Sequence, residues 1–198
     1  MKKSFAEILS DIGSGTQRKV RKKIPGWADA VIPSDLSLEQ CSSQAAADYK
    51  RGLLEKHFPG GVSSVTDLTC GLGVDSLAFS KAAVKVLSFE RSPLLVEAAR
   101  DNFSRFGAGN IEVRCEEVGP DTILPDCEVF YADPARRDGA GRKVFRLEDC
   151  SPDIRPLLPV MMGKSSLVLL KLSPMADISL LAGEFGKALK EVHIVSLH

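Results

Sequence analysis

Asp67-Leu68-Thr69-Cys70-Gly71-Leu72-Gly73-Val74-Asp75 is the stretch that decides the fold. It follows a β-like run, Val62 to Thr66, and opens onto a helical run, Ser76-Leu77-Ala78-Phe79. A strand that turns through two glycines into a helix start lets the backbone approach a ligand closely. It also leaves free N–H groups facing that ligand. Glu90 lies seventeen residues past Gly73, at the end of a second strand-like run, Lys85-Val86-Leu87-Ser88-Phe89. A carboxylate there can accept hydrogen bonds from both hydroxyls of a ribose.

Outward from this bend, strands and helices alternate. The pattern predicts strands at Ser63–Thr69, Lys85–Glu90, Ile111–Cys115, Glu128–Ala132, Ser166–Lys171 and Val192–Leu197. It predicts helices from Val74 to about Ala83, from a Ser92 cap with Pro93 in its first turn to Gly107, after the proline-rich stretch 152–159, and over Ala176–Lys190. In the second of these the apolar ladder has one polar rung, Asn102. Near-continuous apolar strands separated by helices indicate an α/β fold, a Rossmann-like, doubly wound and mostly parallel sheet. Ligands of such sheets sit beyond the carboxyl ends of the strands. Asp67 to Gly73, Glu90, Cys115 to Glu117, Asp133 and Lys171 all fall on that edge.

Residues 1–60 read as a small helical segment and residues 61–198 as the sheet domain. A short helix is expected over 4–13. A longer one is expected from Ser37, with Gln40 completing a capping box and Leu38, Cys41, Ala45, Tyr49 and Leu53 as its apolar stripe. By that stripe Tyr49 belongs to the core. Trp27, the only tryptophan, would pin the irregular stretch around Pro25-Gly26.

Composition narrows the class. The net charge is zero, but residues 1–60 carry ten Lys/Arg against seven Asp/Glu, and the densest basic run is 18–23. That run reads as a solvated charged tail, with a phosphate-tracking surface as the sharper alternative. Five cysteines without CxxC spacing argue against a disulfide framework and for a reducing, cytoplasmic setting. Cys70, Cys115 and Cys127 read as small buried residues. Three scattered histidines give no metal site, and no apolar run is long enough to span a bilayer.

Two nucleotide cofactors compete for the bend. A nicotinamide cofactor would prefer a third glycine where Ser76 stands, and no hydride-transfer partner can be picked out. A P-loop is excluded because no G-x-x-x-x-G-K-[ST] occurs. S-adenosyl-L-methionine has an ammonium, a sulfonium and a ribose but no diphosphate, and an acid early in the loop, Asp67, suits the ammonium.

Asp67-x-x-Cys70-Gly71-x-Gly73 with Glu90 resembles motifs I and II of class I S-adenosylmethionine-dependent methyltransferases. Asp133-Pro134-Ala135-Arg136-Arg137 resembles a variant of their motif IV, Asp/Asn-Pro-Pro-aromatic. A nearer similarity is to a bacterial group of RNA-methylase-like proteins related to trimethylguanosine synthase. It rests on Leu38-Glu39-Gln40-Cys41-Ser42-Ser43, the Asp133 run, Asp149-Cys150-x-Pro152 and Lys171-Leu172-Ser173-Pro174-Met175, and covers roughly residues 24–198.

The resemblance implies methyl transfer to RNA, tRNA or rRNA. It assigns Asp67, Thr69, Cys70, Gly71, Gly73 and Glu90 to the cofactor and Asp133, Pro134 and Lys171 to the chemistry. Glu116 or Glu117, after the third strand, is read either as meeting the adenine amino group or as a surface acid. The resemblance also implies a THUMP-like C-terminal module, so that the chain is expected to be a piece of a longer protein. Asp133 and the Pro134 carbonyl would hold a target amine, although Ala135 and Arg136 replace the second proline and the stacking aromatic. A ribose 2′-O-methyltransferase with Lys171 as base ranks lower. A 5-methylcytosine mechanism lacks a thiol at the substrate face. Arg136, Arg137, Arg142, Lys143 and Arg146 would grip RNA phosphates, or else pair with Asp138, Glu148 or Asp149 on a solvated loop. The rival of a different class is a scaffold that binds cofactor and RNA without catalysis.

Overall fold

A computed structural model of the chain describes residues 14–136, 147 and 150–196. The strands are β1 (Val62–Asp67), β2 (Ala83–Glu90), β3 (Ile111–Cys115), β4 (Val129–Ala132), the short β5 (Ala135–Arg136) and β6 (Cys150–Ser151), and β7 (Leu167–Leu170). The helices are α1 (Ser14–Lys23), α2 (Asp35–Gln40), α3 (Gln44–His57), α4 (Val74–Ser80), α5 (Pro93–Arg105), α6 (Ile154–Lys164) and α7 (Ile178–Phe185). Five strands form one parallel sheet in the order β3-β2-β1-β4-β7, and β5 pairs with β6 in a separate antiparallel ribbon. The order reverses at β1. The β1–α4 bend therefore lies beside the crevice between β1 and β4, where such sheets bind ligands.

Alternation along the strands divides the core. Val129 and Tyr131 point to the face shared by Val65, Val86, Phe79 and Leu54. Phe130 and Ala132 point to the other, with Leu87, Phe89, Ile154, Leu157 and Met161. One face is thus covered by α3 and α4 and the opposite face by α6. α6 begins at Ile154, inside the proline-rich stretch rather than after it, because Pro156 falls in its first turn, where no N–H is needed.

The N-terminal helices are built into this core. Val20, Ile24, Trp27, Ile32, Leu38 and Ala47 pack with Leu72, Leu77, Val96 and Phe103. Trp27 lies against Phe106 with ring centroids 5.1 Å apart. The basic run is a helix and not a tail. Lys19 pairs with Asp35 at 2.7 Å and Glu39 at 3.2 Å, while Lys23 donates to the carbonyls of Leu38 (2.8 Å) and Glu39 (2.6 Å).

The predicted helix from Ser37 differs in two ways. Ser34 is the cap, with Ser37 as its reciprocal partner, and the chain breaks at Cys41-Ser42-Ser43 before Ser43 caps α3. That break rotates α3. Its buried face is Ala47, Lys50 and Leu54, whereas Ala45 and Tyr49 are exposed and the Tyr49 hydroxyl meets His193 Nδ1 at 2.8 Å. The expected helix over 4–13 lies outside the described residues.

The end of the chain also departs from expectation. α7 covers only Ile178–Phe185, followed by a 3₁₀ turn, and residues 191–196 form no strand. β7 is consequently an edge strand with all four residues half-buried. No helix among the described residues is long and apolar enough to cross a membrane.

The polar rung of α5 has a clear purpose. Asn102 is fully buried, accepts from Val31 N–H at 2.7 Å and donates to Val31 C=O at 3.0 Å. It replaces the two ladder bonds this stretch cannot find elsewhere and fastens the N-terminal layer to α5. Asn102→Ala leaves both backbone groups buried and unpaired, so it should cost about 2 kcal/mol or more. The expected Tm loss is roughly 4–8 °C in a thermal melt. A melt unchanged to within a degree would contradict the clamp.

Candidate functional site

The bend after β1 is organised around Asp67, which has no exposure to solvent. Its Oδ1 accepts from Thr69 N–H at 2.9 Å and its Oδ2 from the Ser76 hydroxyl at 2.5 Å, while Ser88 Oγ in turn donates to Ser76 Oγ at 3.0 Å. Burial pushes this carboxyl up to about 7, against the opposing effect of those hydrogen bonds. Asp67 therefore shapes the bend from inside, and its carboxylate is closed off from an ammonium it was expected to meet. Cys70 is likewise buried, and burial raises its thiol well above the ordinary value, so it serves as packing.

Gly71 and Gly73 both take left-handed φ, +56° and +90°, but for different reasons. A Cβ on Gly71 would meet nothing closer than Thr69 O at 3.9 Å, which leaves open room above the backbone. A Cβ on Gly73 would lie 2.5 Å from the Phe103 ring, so that glycine is required by packing against α5.

Glu90, at the end of β2, accepts from Gly71 N–H at 2.9 Å through Oε2 and from Ser92 N–H at 2.8 Å through Oε1. Each oxygen keeps a further lone pair for a hydroxyl donor. Glu116 is held alongside by its N–H bonding Glu90 C=O at 3.0 Å, with its side chain exposed.

This donor and acceptor set fits a ribose-bearing cation better than a dinucleotide. The Gly71 N–H that a diphosphate would use is already taken by a carboxylate. The space over Gly71 is open, and Glu90 and Glu116 keep acceptor positions that hydroxyl or amino donors could use.

Asp133 follows β4 on the same rim. Its N–H donates to Thr69 Oγ1 at 2.7 Å, which ties it to the glycine bend. Its Oδ2 pairs with Lys171 Nζ at the end of β7, and Lys171 N–H bonds Ala132 C=O at 2.9 Å. Lys171 is thus committed to Asp133. Among the described residues Asp133 Oδ1 has no hydrogen-bond partner. Pro134 is buried, and Arg136 lies on β5 where the ribbon with Cys150–Ser151 begins. Arg137, Arg142, Lys143 and Arg146 lie outside the described residues. Of the remaining cysteines, Cys127 is half-buried and Cys115 is exposed, contrary to expectation, because it faces outward at the end of the edge strand β3.

Sequence reasoning missed a cluster next to this corner. Lys50 and Asp75 form an ion pair at 2.6 Å, both buried, with Tyr131 and Ser42 bonded to each. Asp75 is therefore more than a first-turn acid. A charged residue on the buried stripe of α3, in the i, i+3, i+7 series Ala47, Lys50, Leu54, was the available signal.

No family model matches the sequence. The chain is 29% identical over 144 residues to an uncharacterised S-adenosylmethionine-dependent methyltransferase of Mycobacterium tuberculosis, over 73% of this chain and 37% of that protein. It superposes with TM-score 0.66 and 30% identity on the crystal structure of a provisionally assigned methyltransferase of Porphyromonas gingivalis W83, covering 89% of this chain and 47% of that one. A provisionally assigned RNA methyltransferase of Pyrococcus horikoshii shares the fold at TM-score 0.56 and 19% identity, over 75% and 69% of the two chains. The chain thus spans less than half the length of the Mycobacterium and Porphyromonas relatives, and its sheet is methyltransferase-like.

The state of Asp67 has a measurable consequence. Its folded pKa, about 7, lies above the ordinary 3.8, so the folded protein holds this proton more tightly than the unfolded chain does. The resulting stability is whole below the unfolded value, declines as pH rises, and is gone once pH passes the folded value. It amounts to about 4 kcal/mol at most. Melting curves between about pH 5 and pH 8 should show Tm falling, with a shallower fall in Asp67→Asn. Parallel curves for the two proteins would refute the assignment.

Proposed function

We propose that this chain carries the methyltransferase domain of an S-adenosylmethionine-dependent enzyme that methylates RNA, tRNA or rRNA, on a base amine. The observation that carries the reading is the single hydrogen-bonded unit formed by the glycine bend, Glu90 and Asp133. Glu90 closes on Gly71 N–H, and Thr69 of the same bend holds Asp133 N–H. A donor seated over Gly71 and an acceptor seated at Asp133 are then neighbours on one rim, and positioning supplies most of the rate. The similarity to methyltransferases of known sequence and structure supports the same cofactor.

Within this reading Glu90 and Glu116 hold the adenosyl group, the first through the ribose hydroxyls. The cofactor supplies an electrophilic methyl on sulfur. Asp133 Oδ1 and the Pro134 carbonyl accept the N–H groups of the target amine and leave its lone pair directed at that methyl. With the cofactor bound, methyl transfer to the amine nitrogen would leave a surplus proton there, which Asp133 would accept and pass to water. Lys171 fixes the Asp133 carboxylate in that orientation. The arginines and lysine that follow Arg136 grip RNA phosphates and set the strand without reading its sequence. An RNA substrate is favoured by that basic segment and by the RNA-methylase-like motifs at Asp133 and Lys171.

Binding and transfer can be tested separately. S-adenosylhomocysteine at about a hundred times its Kd should stabilise the full-length protein by about 2.7 kcal/mol, and NAD should not. Glu90→Ala should weaken S-adenosylhomocysteine at least about tenfold, as expected for losing charge-assisted hydrogen bonds. Asp133→Ala should keep that affinity and lower methyl transfer to RNA from cells lacking the gene by about 10²–10⁴-fold. Stabilisation by NAD alone would favour an oxidoreductase. Unchanged transfer in the Asp133 variant would remove Asp133 from the chemistry, and a wild-type protein that binds S-adenosylhomocysteine and RNA but transfers no methyl would favour a scaffold.

A further inference from the structure

Beneath the rim lies a polar group of four that neither the glycine bend nor the Asp133 corner requires for its own hydrogen bonds. Lys50 Nζ donates to Ser42 Oγ at 2.8 Å and to Tyr131 Oη at 2.9 Å, and it stands 2.6 Å from Asp75 Oδ1 outside hydrogen-bond alignment. Asp75 Oδ2 accepts from both hydroxyls, Ser42 at 2.7 Å and Tyr131 at 2.7 Å. All four residues are under a tenth exposed. The set is closed, since each hydroxyl donates to the acid and accepts from the lysine. Phe79 covers the Tyr131 ring edge-on at 5.0 Å, with Val65, Val86 and Val129 on the same apolar face.

Burying an ion pair is poor value as stabilisation, because desolvation offsets most of the attraction and an apolar set of equal volume serves as well. What such a group does supply is registry, since its ammonium and both hydroxyls find their partners in one arrangement only. The members come from three places. Ser42 and Lys50 belong to the N-terminal layer, at the break before α3 and in its middle. Asp75 is in the first turn of α4, two residues beyond Gly73. Tyr131 is on β4, two residues before Asp133 and therefore directed to the same side of that strand. Both Asp133 and Lys171 lie within electrostatic reach of the Lys50 ammonium.

We propose that Lys50, Asp75, Tyr131 and Ser42 are positioning residues: a buried latch that sets the Asp133–Lys171 pair in place relative to the glycine bend and makes the N-terminal helices part of the catalytic unit. The latch acts through Tyr131, whose hydroxyl fixes the last turn of backbone before Asp133, and through Asp75, which fixes the start of α4. Its catalytic consequence rests on the methyltransferase reading; its mechanical consequence does not.

The test is Tyr131→Phe in the full-length protein, which removes one hydroxyl and keeps the ring against Phe79, with Ser42→Ala as the milder second variant. Three readouts are taken: amide exchange at Asp133, affinity for S-adenosylhomocysteine, and methyl transfer to RNA from cells lacking the gene. The expected result is exchange at Asp133 about tenfold faster, with the rest of the sheet unchanged. Affinity should stay within about twofold, and kcat should fall about tenfold to a hundredfold, as a misplaced reacting group predicts. Ser42→Ala should show the same pattern in smaller measure, and it decides the matter if the Phe variant does not fold. Normal exchange and normal kcat in a folded variant would overturn the latch. So would a kcat loss that only tracks the unfolded fraction. A wild-type protein that neither binds S-adenosylhomocysteine nor modifies RNA would sink the methyltransferase reading, and the exchange data would still judge the latch.

Discussion

A carboxylate sealed from water must find its hydrogen-bond donors nearby, and for Asp67 those donors are the residues of the bend that follows it. Thr69 N–H and the Ser76 hydroxyl meet it within nine residues of chain. Meeting it requires the chain to leave β1, reverse through Gly71 and Gly73, and start α4 where it does. Once the bend is fixed, Gly71 N–H is in place for Glu90 and Thr69 Oγ1 for Asp133. The rim of the sheet is therefore assembled outward from one buried acid. The interaction is costly to keep ionised and compact in consequence, which is the usual balance for a polar group with structural duty in a core.

The sheet was legible because near-continuous apolar strands and the glycine bend are local signals. β3 occurs at the residues expected, and the other core strands and α5 lie within two residues of expectation. What failed was long-range. Ser42, hidden between two helices that read as one, is pulled toward Asp75 thirty-three residues away, and that pull breaks the helix and turns Tyr49 outward. Asn102 was visible as an exception on its ladder, but its partner Val31 is seventy-one residues away, beyond any spacing rule. At the C-terminal end the β-branched residues Val192, Ile194 and Val195 give strand composition, yet composition alone does not supply a pairing partner.

The site was legible by type and only partly by role. Glu90, Asp133 and Lys171 fall on one rim, as the strand ends suggested. Asp67 carries the same sequence signature as a ligand-facing acid, because an acid at a strand end looks alike whether it points out or in. Burial distinguishes the two, and burial depends on Ser76, Ser88 and the packing of α4, none of which the motif records. The Lys50 cluster shows the converse. A lysine on an apolar stripe reads as noise in a hydrophobic template, although it is the residue around which the neighbouring polar groups are arranged.

The two glycines of the bend carry one further lesson. Gly71 is bare toward open room, whereas the place a methyl would take on Gly73 is already filled by the Phe103 ring. Swapping Gly73 for alanine would jam α5 against the bend with nothing bound at all. Damage there would thus be mistaken for a lost ligand contact, when the true tenant is a phenyl ring from the next helix along.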